Sequence, residues 1–311
     1  MAGQNGADTR PVYSGGSVDN TYTRIMLGTN TNKGYTFNIT AQLQKPFKNG
    51  LTANFAYTFG RAMVVNDGTS SQNSSQWRYM EQVNGLNNLD VSYSDFDMGH
   101  RVLAFISYRI DYFQHASTTI SLVYNGQSGN RYSYVYNDDG EMNGNGESDN
   151  NLIYIPASAE EINLIDDGDL TAAQQWADLE AFIDGDDYLS EHKGEYAERN
   201  GARLPFEHIF DLRLVQEFYL NVGDKKHTLQ ATVDIFNLGN LINKDWGRRR
   251  FVNYGYNKLI NFKGWEQDDD GNDTTIPQYT FDKPDGDLWD IDDSGTSSSR
   301  WQAQFGIRYI F

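Results

Sequence analysis

The chain has no cysteine in its 311 residues, which excludes disulfides and thiolate metal sites. No apolar run approaches the roughly 20 residues that a spanning helix needs. Mean hydropathy is −0.66, which also argues against a helical membrane protein. Basic charge is scarce, with 25 Lys and Arg against 43 Asp and Glu and a formal charge of −18. Phosphate backbones are held by clustered Lys and Arg, so nucleic acid is not an expected partner. The opening Met-Ala-Gly-Gln-Asn-Gly-Ala-Asp-Thr-Arg lacks a basic stretch followed by an apolar one, so it is no secretory signal. The histidines at 100, 115, 192, 208 and 227 form no H-E-x-x-H and no i,i+4 pair. Neither a phosphate-binding glycine loop nor a G-x-S-x-G appears in a strand and helix context. The expectation is a non-enzyme without catalytic residues.

What the sequence does contain is aromatic residues and glycine in period-two patterns: 20 tyrosines, 17 phenylalanines and 29 glycines. None of these features counts against a β-barrel, whose strands need only every second residue apolar. The last eleven residues are the clearest case. Trp301, Ala303, Phe305, Ile307, Tyr309 and Phe311 share one face of an extended strand. Gln302, Gln304, Gly306 and Arg308 share the other, and only Ile310 breaks the polar run. Rings at both ends with smaller apolar groups between them suit a strand crossing a bilayer beside a wet lumen. An ordinary half-buried strand also alternates, so this stretch alone leaves both readings open.

Six earlier segments repeat the pattern: Lys33–Lys45, Leu51–Gly60, His100–Ile110, Thr118–Asn125, Phe206–Leu220 and His227–Leu238. In the last of these Leu229, Ala231, Val233 and Ile235 face outward, and Gln230, Thr232 and Asp234 inward. The connections are short at 46–50, 111–117 and 221–226, and long at 61–99, 126–205 and 239–299. Outer-membrane barrels sort their connections this way, with short periplasmic turns and long extracellular loops. A soluble sandwich has no reason to do so. The expected fold class is therefore all-β, an antiparallel transmembrane β-barrel segment with long extracellular loops containing short helices. Residues 1–32 read as loop with a partial strand over Thr21–Leu27, and 33–311 as barrel. Closed bacterial barrels have even strand numbers from 8 upward, and unpaired edges are not viable in lipid. Seven strands are thus expected to be part of a larger barrel.

Within the loops, Ser158-Ala159-Glu160-Glu161 and Thr171-Ala172-Ala173-Gln174 both fit a capping box, and Ala172, Trp176, Leu179 and Ile183 recur at helical spacing. The insertion 126–205 is then either a solvated folded loop or a lid and docking site for a substrate or surface lipoprotein. Tyr132, Tyr134 and Tyr136 share a strand face. They are candidates for stacking on sugars or peptides, or members of the outer aromatic belt. Glu141, Asn143, Asn145 and Asp149 alternate with glycines as calcium requires, although no register places a bidentate Glu at position twelve. An acidic, glycine-rich turn is the competing reading.

A terminal Phe after alternating apolar positions resembles the signal that outer-membrane barrels present to their assembly machinery; here it would comprise Trp301, Phe305, Ile307, Tyr309 and Phe311. The stretch Asp234-Ile235-Phe236-Asn237-Leu238-Gly239-Asn240-Leu241-Ile242-Asn243 resembles the N-L-F-N segment at the penultimate strand of TonB-dependent outer-membrane receptors. Asn32-Lys33-Gly34-Tyr35, Gly99-His100-Arg101-Val102, Tyr124-Asn125-Gly126-Gln127-Ser128-Gly129 and Tyr196-Ala197-Glu198-Arg199-Asn200-Gly201 look like the Oar-like branch of that family. That branch carries an N-terminal carboxypeptidase-regulatory-like domain. The resemblance runs from about Asn30 to Phe311. It implies a barrel of about 22 strands with an N-terminal plug, active uptake of a nutrient, and coupling to the TonB complex through a periplasmic segment. Signal peptide, TonB box, plug and roughly the first fifteen strands of that pattern are missing here. The expected partners are outer-membrane lipid, the assembly machinery and the TonB complex through the missing part. The competing functions are an adhesion or structural barrel without transport and, more distantly, a soluble carbohydrate-binding module.

Overall fold

The computed structural model describes residues 8–13, 19–22, 25–140, 142–293 and 299–311. Alternating sequence becomes seven long strands: β1 (Tyr35–Pro46), β2 (Leu51–Val64), β3 (Gly99–Tyr112), β4 (Ala116–Gln127), β5 (Glu207–Val222), β6 (Lys225–Phe236) and β7 (Gln302–Ile310). They pair antiparallel in chain order as one meander. No strand among the described residues pairs with the second edge of β1 or of β7. Several strands run two or more residues beyond the expected limits, so the short turns are tighter than expected. Between β5 and β6 only Gly223 and Asp224 remain, with Gly223 at φ 62°. Between β3 and β4, Phe113 (φ 55°) and Gln114 (φ 59°) supply the left-handed backbone that matches strand twist. Gly50 sits at φ 85°, and a Cβ there would lie 2.5 Å from the carbonyl oxygen of Arg109.

Register carries one apolar face across the whole sheet. Ile39 opposes Phe59, Phe55 opposes Ala104, and Ala104 opposes Tyr124. Tyr124 opposes Phe210, Leu214 opposes Val233, and Val233 opposes Phe305. Of these, Ile39, Phe55, Phe210 and Phe305 stand exposed and the others are half-buried; on the same face of β7 Ile307 is 83% exposed. The inward face is richer in polar groups, with Leu103, Phe105, Val123 and Val215 among them. Thr40 and Thr58 are hydrogen-bonded at 2.9 Å, as are Ser107 and Ser121. Arg109 pairs with Glu217 at 2.9 Å, and Arg213 with Asp234 at 3.5 Å. Polar residues on the outward face find partners there: Gln216 Oε1 accepts from the hydroxyls of Tyr112 (2.8 Å) and Thr118 (2.7 Å) near the turn end. Its amide donates to the Ser117 carbonyl, so the amide is satisfied without solvent.

The long insertions fold together at the other end of the sheet. A four-stranded sheet runs in the order Asp273–Thr280, Tyr256–Gln267, Arg131–Asn137, Ala202–Arg203. Its central pair is parallel and joins segments from two different insertions. The buried core of the chain lies here, in a cap that includes Tyr134, Tyr136, Ile153, Leu179, Ile260 and Phe281. Residues 239–299, read as loop, therefore contain strands; bulges at Phe262/Gly264 and Trp265/Gln267 break their alternation and hid them. The capping box at Thr171 and Gln174 starts helix Ala172–Gly185, which buries Leu179 and Ile183 and half-buries Trp176. The second expected capping box is absent. Ser158 precedes only the 3-10 turn Ala159–Glu161 without a side-chain cap bond, and Glu161 accepts instead from the Ala157 amide. Of the expected extended piece Thr21–Leu27, residues 23 and 24 lie outside the described residues, and the others form no strand.

Candidate functional site

The cap is tied to the wall by a joint of buried charge at the rim. Asp97 Oδ1 accepts from the Ala62 amide of β2 at 2.7 Å, and its other oxygen pairs with Arg131 (2.6 Å) and Arg203. Arg131 also lies 3.4 Å over the Tyr93 ring and donates to the carbonyls of Asn200 and Gly201. Burial and the neighbouring Arg131 push the Arg203 guanidinium down to about 10, with Asp97 acting against them. Arg199 donates to the carbonyls of Val64 (2.7 Å) and Val65 (2.8 Å), satisfying the last backbone groups of β2. Asn200, at φ 55°, bonds the Tyr93 carbonyl and the Asp95 carboxylate. Ser128 and His100 exchange two hydrogen bonds, and a Cβ on Gly99 (φ 64°) would meet Arg203 Nη1 and Ser128 Oγ at 2.9 Å.

Three of the quoted motifs, 99–102, 124–129 and 196–201, thus meet in this one joint. Sequence displayed their residue types, but only the fold brings them together. The segment at 32–35 opens β1, where Gly34 (φ 92°) packs so close that a Cβ would lie 2.4 Å from the Met63 carbonyl oxygen. The 234–243 segment turns the chain out of β6: Asn237 is left-handed (φ 53°), its amide donates to Asp211, and its side-chain amide donates to the Gly247 carbonyl.

The three candidate tyrosines lie inside the cap. Tyr132, Tyr134 and Tyr136 retain 3%, 1% and 1% exposure, so their rings are neither in an outer belt nor free to stack on a ligand. They sit on the cap sheet rather than the wall, because Arg131–Asn137 leaves the meander to pair with Tyr256–Gln267. Burial pushes the Tyr132 hydroxyl up to about 12. Tyr134 donates to Asp186 at 2.6 Å, and Asp186 in turn caps helix Asp187–Glu191. Tyr136 donates to Asp8 and lies 4.8 Å from the Arg10 guanidinium. Asp8 and Arg10 are themselves buried as an ion pair at 2.9 Å, with Arg10 reaching the Leu152 carbonyl at 2.7 Å. Burial opposes the Asp8 charge, but Arg10 outweighs it and holds the carboxyl below its ordinary value. Residues 8–13 are thus part of the cap, a placement that their loop-like composition gave no sign of.

Of the calcium candidates, Glu141 lies outside the described residues. The oxygens of Asn143 and Asn145 accept from the amides of Asn145 (3.1 Å) and Glu147 (2.7 Å), each closing a turn. Asp149 pairs with Lys258 at 2.7 Å. These contacts are those of the competing reading, a glycine-rich turn. Among the described residues no three His, Asp or Glu side chains could hold a metal ion. On β7 and its end, Trp301, Phe305, Ile307, Tyr309 and Phe311 all stand exposed on the outward face.

A cleft of about 380 Å³ opens on the cap, lined among others by Tyr134, Phe182, Lys283, Asp287, Leu288 and Trp289. Half-buried Phe182, Leu288 and Trp289 supply apolar surface, while Lys283, Asp186 and Asp287 supply charge at its edge. Concave apolar surface with a few polar groups is the general form of a small-ligand site. Of its lining, sequence reading named Tyr134 but not Asp287, Leu288 and Trp289, whose run Asp287-Leu288-Trp289-Asp290 looks like acidic loop except for the Trp inside it.

The family model of the outer membrane beta barrel domain matches residues 2–245. No curated protein and no solved structure matches the chain.

Proposed function

The chain belongs to the outer membrane beta barrel domain family and is placed in the cell outer membrane; from that premise we propose that it forms wall and outer vestibule of a TonB-dependent receptor of the Oar-like branch. In this reading the seven strands are part of a closed wall of about 22, and the free edges of β1 and β7 continue into neighbouring strands. The short turns lie on the periplasmic side and the cap outside. The protein imports an oligosaccharide, peptide or chelate, and performs no covalent chemistry. Its partners are outer-membrane lipid, the assembly machinery that reads Trp301 to Phe311, the TonB complex through a plug-bearing part, and a surface lipoprotein over the cap. Neither nucleic acid nor a cofactor has a role.

The observation that carries the reading is the cap itself. Three insertions build a cored unit that meets the wall laterally at the Ala62 amide and on its inward face at Glu207, 3.7 Å from Arg249. In this reading the unit leans over the lumen, where a ligand must pass. The test is growth of a strain lacking the gene for this chain on oligosaccharides, peptides or ferric chelates as sole sources. Loss of growth on one class, restored by the wild-type gene and more weakly by Trp289→Ala, is the expected result. Unchanged growth on every class, together with lost surface attachment, would establish the adhesion or structural barrel instead.

A further inference from the structure

We propose that the outer rim beside β6 binds the phosphorylated headgroup of an outer-leaflet glycolipid. This inference rests on outer-membrane placement alone and does not depend on the transport reading. Past Phe236 the chain forms the short helix Leu238–Ile242, and Leu241, Ile242 and then Trp246 stand exposed. They follow directly on the apolar outward face of the wall, so they lie where acyl chains give way to headgroups. Exposed Lys244 and the run Arg248-Arg249-Arg250 share this short stretch, in a chain of net charge −18.

A cleft of about 300 Å³ joins the two chemistries: outward-facing Phe206 and Phe210 line it together with Trp246, Arg248 and Arg250. Arg249 is turned to structural use, its amide bonded to Ser299 Oγ at 2.9 Å and its guanidinium 3.7 Å from Glu207. Arg248 is held toward the cleft by the Lys244 carbonyl (3.0 Å) and by Asp245 (2.5 Å), which also lines the cleft. Among the lining residues Arg248 and Arg250 stand against the one carboxylate of Asp245, while Glu207 takes the Arg250 amide and pairs with Arg249, so the cleft itself keeps a positive balance beside exposed Lys244. Apolar anchors flanking a basic cluster are the general form of an interfacial site for an anionic lipid, and a guanidinium matches a phosphate in bidentate geometry.

The test is native mass spectrometry of the protein purified from outer membranes in neutral detergent. The probes are diphosphorylated lipid A, its phosphate-free form and inorganic phosphate. Wild type is expected to retain the diphosphorylated lipid, and Arg248→Gln combined with Arg250→Gln to retain at least fivefold less. Wild type is expected to hold the phosphate-free lipid no better than the double variant holds lipid A. Lys225→Gln with Lys226→Gln, at the turn end, should retain as wild type does. If the double variant fails to fold, judged by heat-modifiable migration, Lys244→Gln carries the comparison. Equal retention by wild type and the rim variants would overturn the proposal. So would an equal drop in the turn-end variant, or full displacement by inorganic phosphate at the same concentration, which would mark a free-anion site.

Discussion

Leu214→Arg places a charge at the centre of the outward face, and the register fixes what it meets. Leu214 opposes Ile120 on β4 and Val233 on β6, and Val233 opposes Phe305 on β7. Two positions outward along β5 is Leu212 and four is Phe210; four positions the other way is Phe218, which opposes Leu229 beside Tyr309. The row of Leu214 is therefore midway between the aromatic ends, deeper than Ile235 one row nearer the cap. An arginine at mid-membrane on a barrel's lipid face costs about 2–4 kcal/mol, roughly a 30- to 700-fold shift in the folding equilibrium. Thr232→Arg serves as the partner variant. Thr232 faces inward beside Gly306, whose missing side chain leaves room, and its inward neighbour along the strand is Asp234. Its cost should stay within about 0.5 kcal/mol, as for a solvated surface change. The assay is urea unfolding of the protein in phospholipid vesicles, followed by Trp fluorescence and heat-modifiable migration. A markedly lower midpoint for Leu214→Arg alone is expected. Equal shifts, or a larger one for Thr232→Arg, would refute the assignment of faces.

Two further predictions concern the cap. Asp97→Ala leaves Arg131 and Arg203 without their shared carboxylate, in a joint where Asp97 is 2% exposed. Breaking a buried pair costs about 3 kcal/mol, taken at the low end because Arg203 keeps some solvent. Limited proteolysis should cut within 126–205 while the wall stays heat-modifiable; unchanged protection would show that the joint does not hold the cap. Half-buried Glu81 has its carboxyl pushed up to about 7 from 4.5, chiefly by burial and against the pull of Arg199. Between those values the folded chain holds a proton that the unfolded chain has released, so cap stability falls as pH rises through this window. Glu81→Gln should flatten that fall in hydrogen exchange of the cap measured from pH 4.5 to 7.5; a slope identical to wild type would refute the shift.

Strand assignment was legible because alternation is local: each of Ile39, Phe55, Ile106 and Phe305 declares its face through its two neighbours alone. The ends of strands were less legible. Val222 and Lys225 extend β5 and β6 because pairing continues until Gly223 takes positive φ, and pairing is not visible in one segment. At Gln216 alternation fails for a reason outside its own strand, since the hydroxyls of Tyr112 and Thr118 satisfy its side chain.

Local pattern was enough for the all-β wall, its seven alternating strands, the sorting of short and long connections, and the helix after Thr171. Each rests on contacts within a few residues or on a repeated period. The cap came from long-range packing. Tyr132, Tyr134 and Tyr136 alternate as wall residues do, yet they are buried because Arg131–Asn137 pairs with a strand more than 100 residues away. Asp97, Arg131, Arg199 and Arg203 look like ordinary surface charge in an acidic chain, and become a joint only when the insertions 61–99 and 126–205 meet. Whether a polar or aromatic side chain faces lipid, lumen or a core depends on what packs against it, and those partners lie far away along the chain.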